Sequence, residues 1–101
     1  MKPMISRIMC VFILLSLSLS VFADEYLVGE GDVLNVNVYE NEDLSTTVRV
    51  SSDGTVRIPL LGEVRVDNLS VSQVSAKIER LLADGYLIDP QVDVFISEHR
   101  S

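Results

Sequence analysis

The chain is poor in the residues that most catalytic centres use. Its 101 residues include no tryptophan, one cysteine and one histidine. Cys10 lies in an apolar N-terminal stretch, and His99 lies near the other end with no cysteine beside it. Because Ser-His-Asp and Cys-His centres need a histidine held next to a nucleophile, we expect neither. We predict no enzyme activity, no metal site and no cofactor.

Basic residues are scarce as well. Lys2 and Arg7 precede Ala23, whereas all 15 acidic residues follow it, so residues 24–101 carry a formal charge of −9. Nucleic-acid binding depends largely on neutralising phosphates, so we expect no nucleic-acid partner and no docking on an anionic membrane surface. The acidic excess is interpreted as ordinary solubility, with electrostatic steering as the alternative.

The longest apolar stretch, Ile8–Phe22, has about 15 residues, whereas a membrane-spanning helix needs roughly 20. Basic residues before it, and compact residues at Val21 and Ala23, form the pattern of a secretory signal peptide. We predict that residues 1–23 are a signal peptide cleaved after Ala23; an uncleaved anchor is the alternative. Cleavage would remove Cys10, which does not stand where a lipoprotein cleavage box places its cysteine, so no disulfide is expected in residues 24–101.

Alternation of apolar and polar residues predicts short, half-buried strands in the rest of the chain. The expected strands cover residues 33–39, 46–50, 55–59, 63–67 and 91–98. Asp53-Gly54 is typical of a tight hairpin turn, so strand 46–50 is predicted to pair with strand 55–59. Pro59 should end the second of these strands, because it has no N–H to donate.

One helix is predicted, Val71–Asp84. Ser70 and Gln73 have the spacing of a capping box, and Gly85 suits the left-handed position after the last turn. The apolar face would consist of Val71, Val74, Ile78, Leu81 and Leu82, and the water-facing side chains would be Lys77, Glu79, Arg80 and Asp84. Together these elements predict an α+β fold, a small, mainly antiparallel β-sheet with one helix packed on it.

Two groups of residues are weak candidates for ligand binding. Glu40, Glu42 and Asp43 could hold a hard cation through oxygen ligands, but they lack the spacing and central glycine of a calcium loop, so a solvated acidic loop is favoured. Gly29 and Gly31 resemble half of a dinucleotide fingerprint, but they precede a strand and do not open a helix.

Three stretches carry a resemblance to a known family: YLVGEGDVLNVNVYENEDLS, VSSDGTVRIPLLGEVRVDNLSVSQVSAKIERLL and DPQVDVFISE. In order and spacing they resemble the N-terminal polysaccharide-export domain of the bacterial outer-membrane polysaccharide export (Wza-like) proteins. Val28 stands where that family usually has leucine. The positions that match the family signature, which we interpret as structural, are Gly29, Gly31, Asp32, Leu44, Ser45, Asp53, Gly54, Pro59, Gly62 and Pro90.

The resemblance implies a secreted, non-catalytic component of capsular polysaccharide or exopolysaccharide export. It implies homo-oligomeric rings in the periplasm or at the outer membrane, with polysaccharide as the substrate. It also implies an inner-membrane polysaccharide co-polymerase, often linked to a tyrosine kinase, as partner. Asn35, Asn37 and the loop Glu40–Ser45 are candidate contact surfaces. A stand-alone periplasmic adaptor or carbohydrate-binding module, which would stack sugars on exposed aromatic rings, is the alternative.

The resemblance further implies β-grasp repeats and an amphipathic pore helix after this domain. The sequence stops at Ser101 without them, so we interpret residues 24–101 as a single polysaccharide-export domain. The abrupt end favours a truncated longer chain, and a reduced form that acts as a periplasmic ring piece is the alternative.

Overall fold

Strand β1 (Val33–Val38) is the centre of a three-stranded sheet in the computed structural model, which describes residues 25–100. It pairs antiparallel with β2 (Thr46–Arg49) on one side and with β5 (Val92–Glu98) on the other. A second, two-stranded antiparallel sheet consists of β3 (Thr55–Ile58) and β4 (Gly62–Arg65).

The alternation predicted for β1 is confirmed. Leu34, Val36 and Val38 are buried, whereas Asn35 is half-buried and Asn37 is exposed. In the register of the sheet, Leu34 lies between Val48 and Ile96, so apolar side chains from all three strands meet on one face. A short 3-10 helix (Glu42–Leu44) lies in the loop from β1 to β2.

The predicted pairing of residues 46–50 with 55–59 is wrong. The turn itself forms, because the Gly54 amide donates to the Ser51 carbonyl and the Ser51 amide donates to the Thr55 carbonyl. Beyond it the strands part, since β2 pairs with β1 and β3 pairs with β4. The Gly54 carbonyl accepts from the amides of Val66 and Asp67, which follow β4, so the start of β3 is tied to the end of β4. The single sheet expected from the sequence is therefore two sheets.

Helix α1 (Val71–Ala83) begins at the predicted capping box. The Ser70 hydroxyl accepts from the Gln73 amide, and the Gln73 side chain accepts from the Ser70 amide. The helix ends one residue earlier than predicted, and Gly85 has the expected left-handed conformation, with φ +93°.

The prediction that Glu79 faces water is wrong. Its carboxylate accepts from the amide of Val92 at 2.9 Å, and the Ser75 hydroxyl donates to the carbonyl of the same residue. Two side chains of α1 thus bind both backbone groups of the first residue of β5. This contact fixes the helix on the edge of the three-stranded sheet.

One core lies under α1 and joins both sheets. The helix contributes Val74, Ile78 and Leu82, each with no exposed surface. Val56 and Ile58 of β3 and Val64 of β4 are buried in the same cluster as Leu34 and Val36 of β1. Each such side chain contributes about 1.5–3 kcal/mol when it is fully buried. One helix packed against antiparallel strands confirms the predicted α+β class.

The predicted signal peptide, residues 1–23, lies outside the described residues. Within residues 25–100, no helix has the length and apolar character needed to cross a membrane.

Candidate functional site

Asp32 is the one acidic residue with a fully buried side chain among the described residues. It comes directly before β1, where the Gly29–Asp32 turn brings the chain into the sheet. One oxygen, Oδ2, accepts from the Tyr26 hydroxyl at 2.8 Å and from the Gly29 amide at 2.9 Å. The other, Oδ1, accepts from the Arg100 amide at 2.7 Å. A buried carboxylate is stable only if its oxygens are hydrogen-bonded, and three donors do that here.

The hydrogen bonds decide the charge state of this group. Burial alone raises the pKa of the Asp32 carboxyl, but the bonds from Gly29, Arg100 and Tyr26 and the Arg100 charge outweigh burial and hold the pKa below its usual value. The bond to Asp32 in turn raises the pKa of the Tyr26 hydroxyl. At neutral pH the cluster therefore pairs a carboxylate with a neutral phenol.

Arg100 packs closely on this turn. A Cβ atom on Gly29 would overlap the Arg100 guanidinium, and a Cβ on Gly31, which has φ +90°, would lie 3.3 Å from the Arg100 Cβ. The guanidinium carbon lies 5.9 Å from the centre of the Tyr26 ring, and the His99 ring meets the Tyr26 ring edge-on, with centroids 4.9 Å apart. We call Tyr26, the Gly29–Asp32 turn and residues 99–100 the Asp32 cluster.

The Asp53-Gly54 turn forms a second polar group on the same side of the fold, where Gly54 and Gly29 border one cleft. Hydrogen bonds from the hydroxyls of Ser51 and Thr55 lower the pKa of Asp53. Gly54 has φ +79°, and a Cβ there would lie 2.5 Å from the Asp67 carboxyl carbon. Glycine is required here both by the backbone conformation and by the approach of Asp67.

The remaining signature positions lie at the ends of elements and in the loops between them. Leu44 is buried in the 3-10 helix, and the Ser45 hydroxyl accepts from the Val38 amide at 2.9 Å. Pro59 follows the last residue of β3, as predicted, and Gly62 has φ +75° at the start of β4. Pro90 lies in the loop before β5. The ten positions thus lie in several turns around the fold and do not converge on one pocket.

A cleft of about 810 Å³, open to solvent, lies at the opposite end of β1. Its acidic walls come from three elements: Glu40 and Glu42 from the loop after β1, Glu79 from α1 and Asp93 from β5. Tyr39 forms part of the rim and is 70% exposed. We call this region the acidic cleft.

The described side chains at the acidic cleft are not arranged as a metal site. Among residues 25–100, no group of histidine, cysteine and acidic side chains is arranged to hold a metal ion. Glu79 is already bonded to Val92. His99 belongs to the other end of the domain, where its ring contacts Tyr26. The cleft offers carboxylates, amides and one phenol ring to a polar ligand or to another protein.

Sequence reasoning missed two members of the Asp32 cluster, Tyr26 and Arg100. It assigned no contact to His99 or Arg100, whereas the His99 ring packs on Tyr26 and the Arg100 amide donates to Asp32. The available signal was a glycine-flanked aspartate next to an apolar strand, which indicates a buried carboxylate in need of donors. The sequence does not identify those donors, because Asp32 and Arg100 are 68 positions apart.

Comparison with known families supports the resemblance seen in the signature residues. The model of the family described as polysaccharide biosynthesis/export protein matches residues 21–97. The match includes every strand and the helix, and it ends one residue before the end of β5. It also includes all ten signature positions, from Gly29 to Pro90. The chain therefore belongs to the polysaccharide biosynthesis/export protein family, and it takes part in polysaccharide export.

Proposed function

We propose that the chain is a non-catalytic, ring-forming subunit domain of the machinery that exports capsular polysaccharide or exopolysaccharide, acting in the periplasm or at the outer membrane. The observation that carries this proposal is the family match over residues 21–97, which covers nearly the whole described fold. In such a role, contacts between subunits would carry the function, and no substrate pocket would be needed.

The exposed groups at the acidic cleft support a role in contacts. Tyr39 is largely exposed, and Asn37, Glu40 and Glu42 line the cleft beside it. Exposed aromatic rings among polar groups are common at protein interfaces. We propose this surface, which includes part of the predicted loop Glu40–Ser45, as a contact for a neighbouring subunit or for an inner-membrane polysaccharide co-polymerase. Asn35 is a weaker candidate, because its side-chain amide already donates to Thr47.

A second function has one observation in its favour. An exposed tyrosine beside carboxylates and amides is the arrangement that carbohydrate-binding sites use, with the ring stacked on a sugar face. Tyr39 at the rim of the acidic cleft offers this arrangement. A stand-alone carbohydrate-binding module would use that site as a monomer.

Deletion of the gene and complementation with the full chain test the export proposal. Surface polysaccharide should fall on deletion and return with the wild-type chain, and it should stay low with an Ile78→Asp variant that cannot fold. Unchanged surface polysaccharide after deletion, in a strain with no second copy of the gene, would contradict the proposal.

Sedimentation of the purified, processed protein tests the ring. Glu42→Arg at the acidic cleft should weaken self-association, whereas Glu63→Arg, the same charge change on the exposed part of β4, should not. A glycan array distinguishes the carbohydrate-binding module from the export subunit. Saturable sugar binding by a monomer, lost in Tyr39→Ala, would favour the binding module.

A further inference from the structure

The donors to Asp32 come from two segments that are far apart in the sequence. Tyr26 and Gly29 belong to the segment that enters β1, and Arg100 belongs to the segment that leaves β5. The same carboxylate binds both: Oδ2 accepts hydrogen bonds from the entering segment, and Oδ1 accepts one from the backbone of the leaving segment. No other described side chain accepts hydrogen bonds from both segments.

The turn before β1 is complementary to the Arg100 side chain in shape as well as in charge. Two glycines leave the space that Arg100 fills, since a Cβ on Gly29 or Gly31 would meet its side chain or its Cβ. The guanidinium lies 4.0 Å from Asp32 Oδ2 and also faces the Tyr26 ring. Arg49 supports the turn from β2 by donating to the Gly31 carbonyl at 2.9 Å.

Sharing of one buried carboxylate makes the two segments interdependent. If either segment leaves, Asp32 loses part of its hydrogen bonding, and an under-bonded buried carboxylate is unfavourable. The segment that stays then binds a carboxylate that is more exposed to water and less well fixed. Each segment therefore stabilises the bonds of the other.

We propose that the Asp32 cluster is a clasp that couples the segment entering β1 to the segment leaving β5, so that the two are ordered and released together. Tyr26 and Arg100 act as positioning residues for the Asp32 carboxylate. The clasp fixes the position of Arg100 relative to the sheet. A force or a binding event that acts on one of these segments therefore changes the order of the other through Asp32, and not through β1 and β5. The clasp does not depend on the export function.

Amide hydrogen exchange, measured residue by residue with NMR on the full chain as the cell processes it, tests the clasp. Tyr26→Phe removes one donor from the entering segment, and we expect faster exchange at the Arg100 amide by about fivefold or more, the lower end of common coupling between sites. The matched control is Tyr39→Phe, which removes a hydroxyl at the acidic cleft and should leave the Arg100 amide unchanged.

The reverse experiment starts from the leaving segment. Arg100→Pro removes the amide donor, and we expect faster exchange at the Gly29 amide. Arg100→Ala keeps that amide and should have a smaller effect. If Tyr26→Phe accelerates exchange at Gly29 and leaves Arg100 unchanged, the two segments bind Asp32 independently and the clasp is refuted. Tyr26→Phe therefore tests the clasp even if Arg100→Pro does not fold.

Discussion

The carboxylates at the two ends of β1 differ in burial and in hydrogen bonding. Before β1, Asp32 is fully buried and each of its oxygens is bonded to a backbone amide. After β1, Glu40 and Glu42 are exposed on the acidic cleft. A buried carboxylate that is fully bonded ties segments together, whereas exposed carboxylates leave a surface free for other molecules. The domain thus has one end that is internally fixed and one that is available for contacts.

The largest effect on the free energy of unfolding should come from a change in the core that both ends of β1 share. Ile78→Asp places a charge on the buried face of α1, and we expect a loss of about 4 kcal/mol or more, enough to prevent folding. Arg80→Asp, on the exposed face of the same helix, is the control and should still fold. Circular dichroism during thermal melting measures both, and a cooperative melt of Ile78→Asp near the wild-type temperature would refute this helix placement.

The next largest effect on stability is expected at the Asp53-Gly54 turn, which lies on the same side of the fold as Asp32. Gly54→Val forces a β-branched residue into φ +79° and against Asp67, and we expect a loss of about 3 kcal/mol or more. Gly62→Val has similar backbone strain, with φ +75°, but its Cβ would meet no atom within 4 Å. It should therefore lose only about 1–3 kcal/mol. Equal losses in urea unfolding would show that the approach of Asp67 does not matter.

A pH series sharpens the comparison of carboxylates. Asp32→Asn should destabilise the domain by about 1–3 kcal/mol at neutral pH, because it replaces a bonded charge by an amide. The pKa of Asp32 is lowered by folding, so the stabilisation is complete above the unfolded pKa of about 3.9. It is lost as the pH falls through the lower folded pKa.

The difference between wild type and Asp32→Asn should therefore shrink below about pH 4. Urea unfolding at several pH values measures it. A constant difference for Asp32→Asn down to the lowest pH would mean that folding does not lower the pKa of Asp32.

The smallest effect should be at the acidic cleft. Tyr39→Ala removes a side chain that is 70% exposed, and we expect stability to change by no more than about 0.5 kcal/mol. The same variant should reduce self-association or partner binding. A large loss of thermal stability would instead make Tyr39 part of the fold and end the distinction between the two ends.

Features set by neighbouring residues could be predicted from the sequence. The capping box at Ser70 and Gln73, the left-handed Gly85 and the buried face of α1 all follow from local spacing. The alternation in β1 also follows from local spacing, because the side-chain period of a strand is two. These elements were enough to predict the α+β class.

Features set by distant contacts could not be predicted in this way. Asp53-Gly54 predicts a turn, but the bonds from Val66 and Asp67 to Gly54 decide which strands pair. The position of Glu79 on α1 indicates exposure, yet its carboxylate reaches an amide on β5. Asp32 could be identified as part of a signature, but its bond to Arg100 depends on how the whole sheet is assembled.

The contact between α1 and Val92 has a consequence for solubility. β5 lies at the edge of its sheet, and unpaired backbone groups on an edge strand invite pairing with strands of other molecules. At Val92 both groups are occupied, the amide by Glu79 and the carbonyl by Ser75. A foreign strand cannot begin to pair at that residue without displacing the helix side chains. Two polar residues on one helix thus protect the start of an edge strand from aggregation.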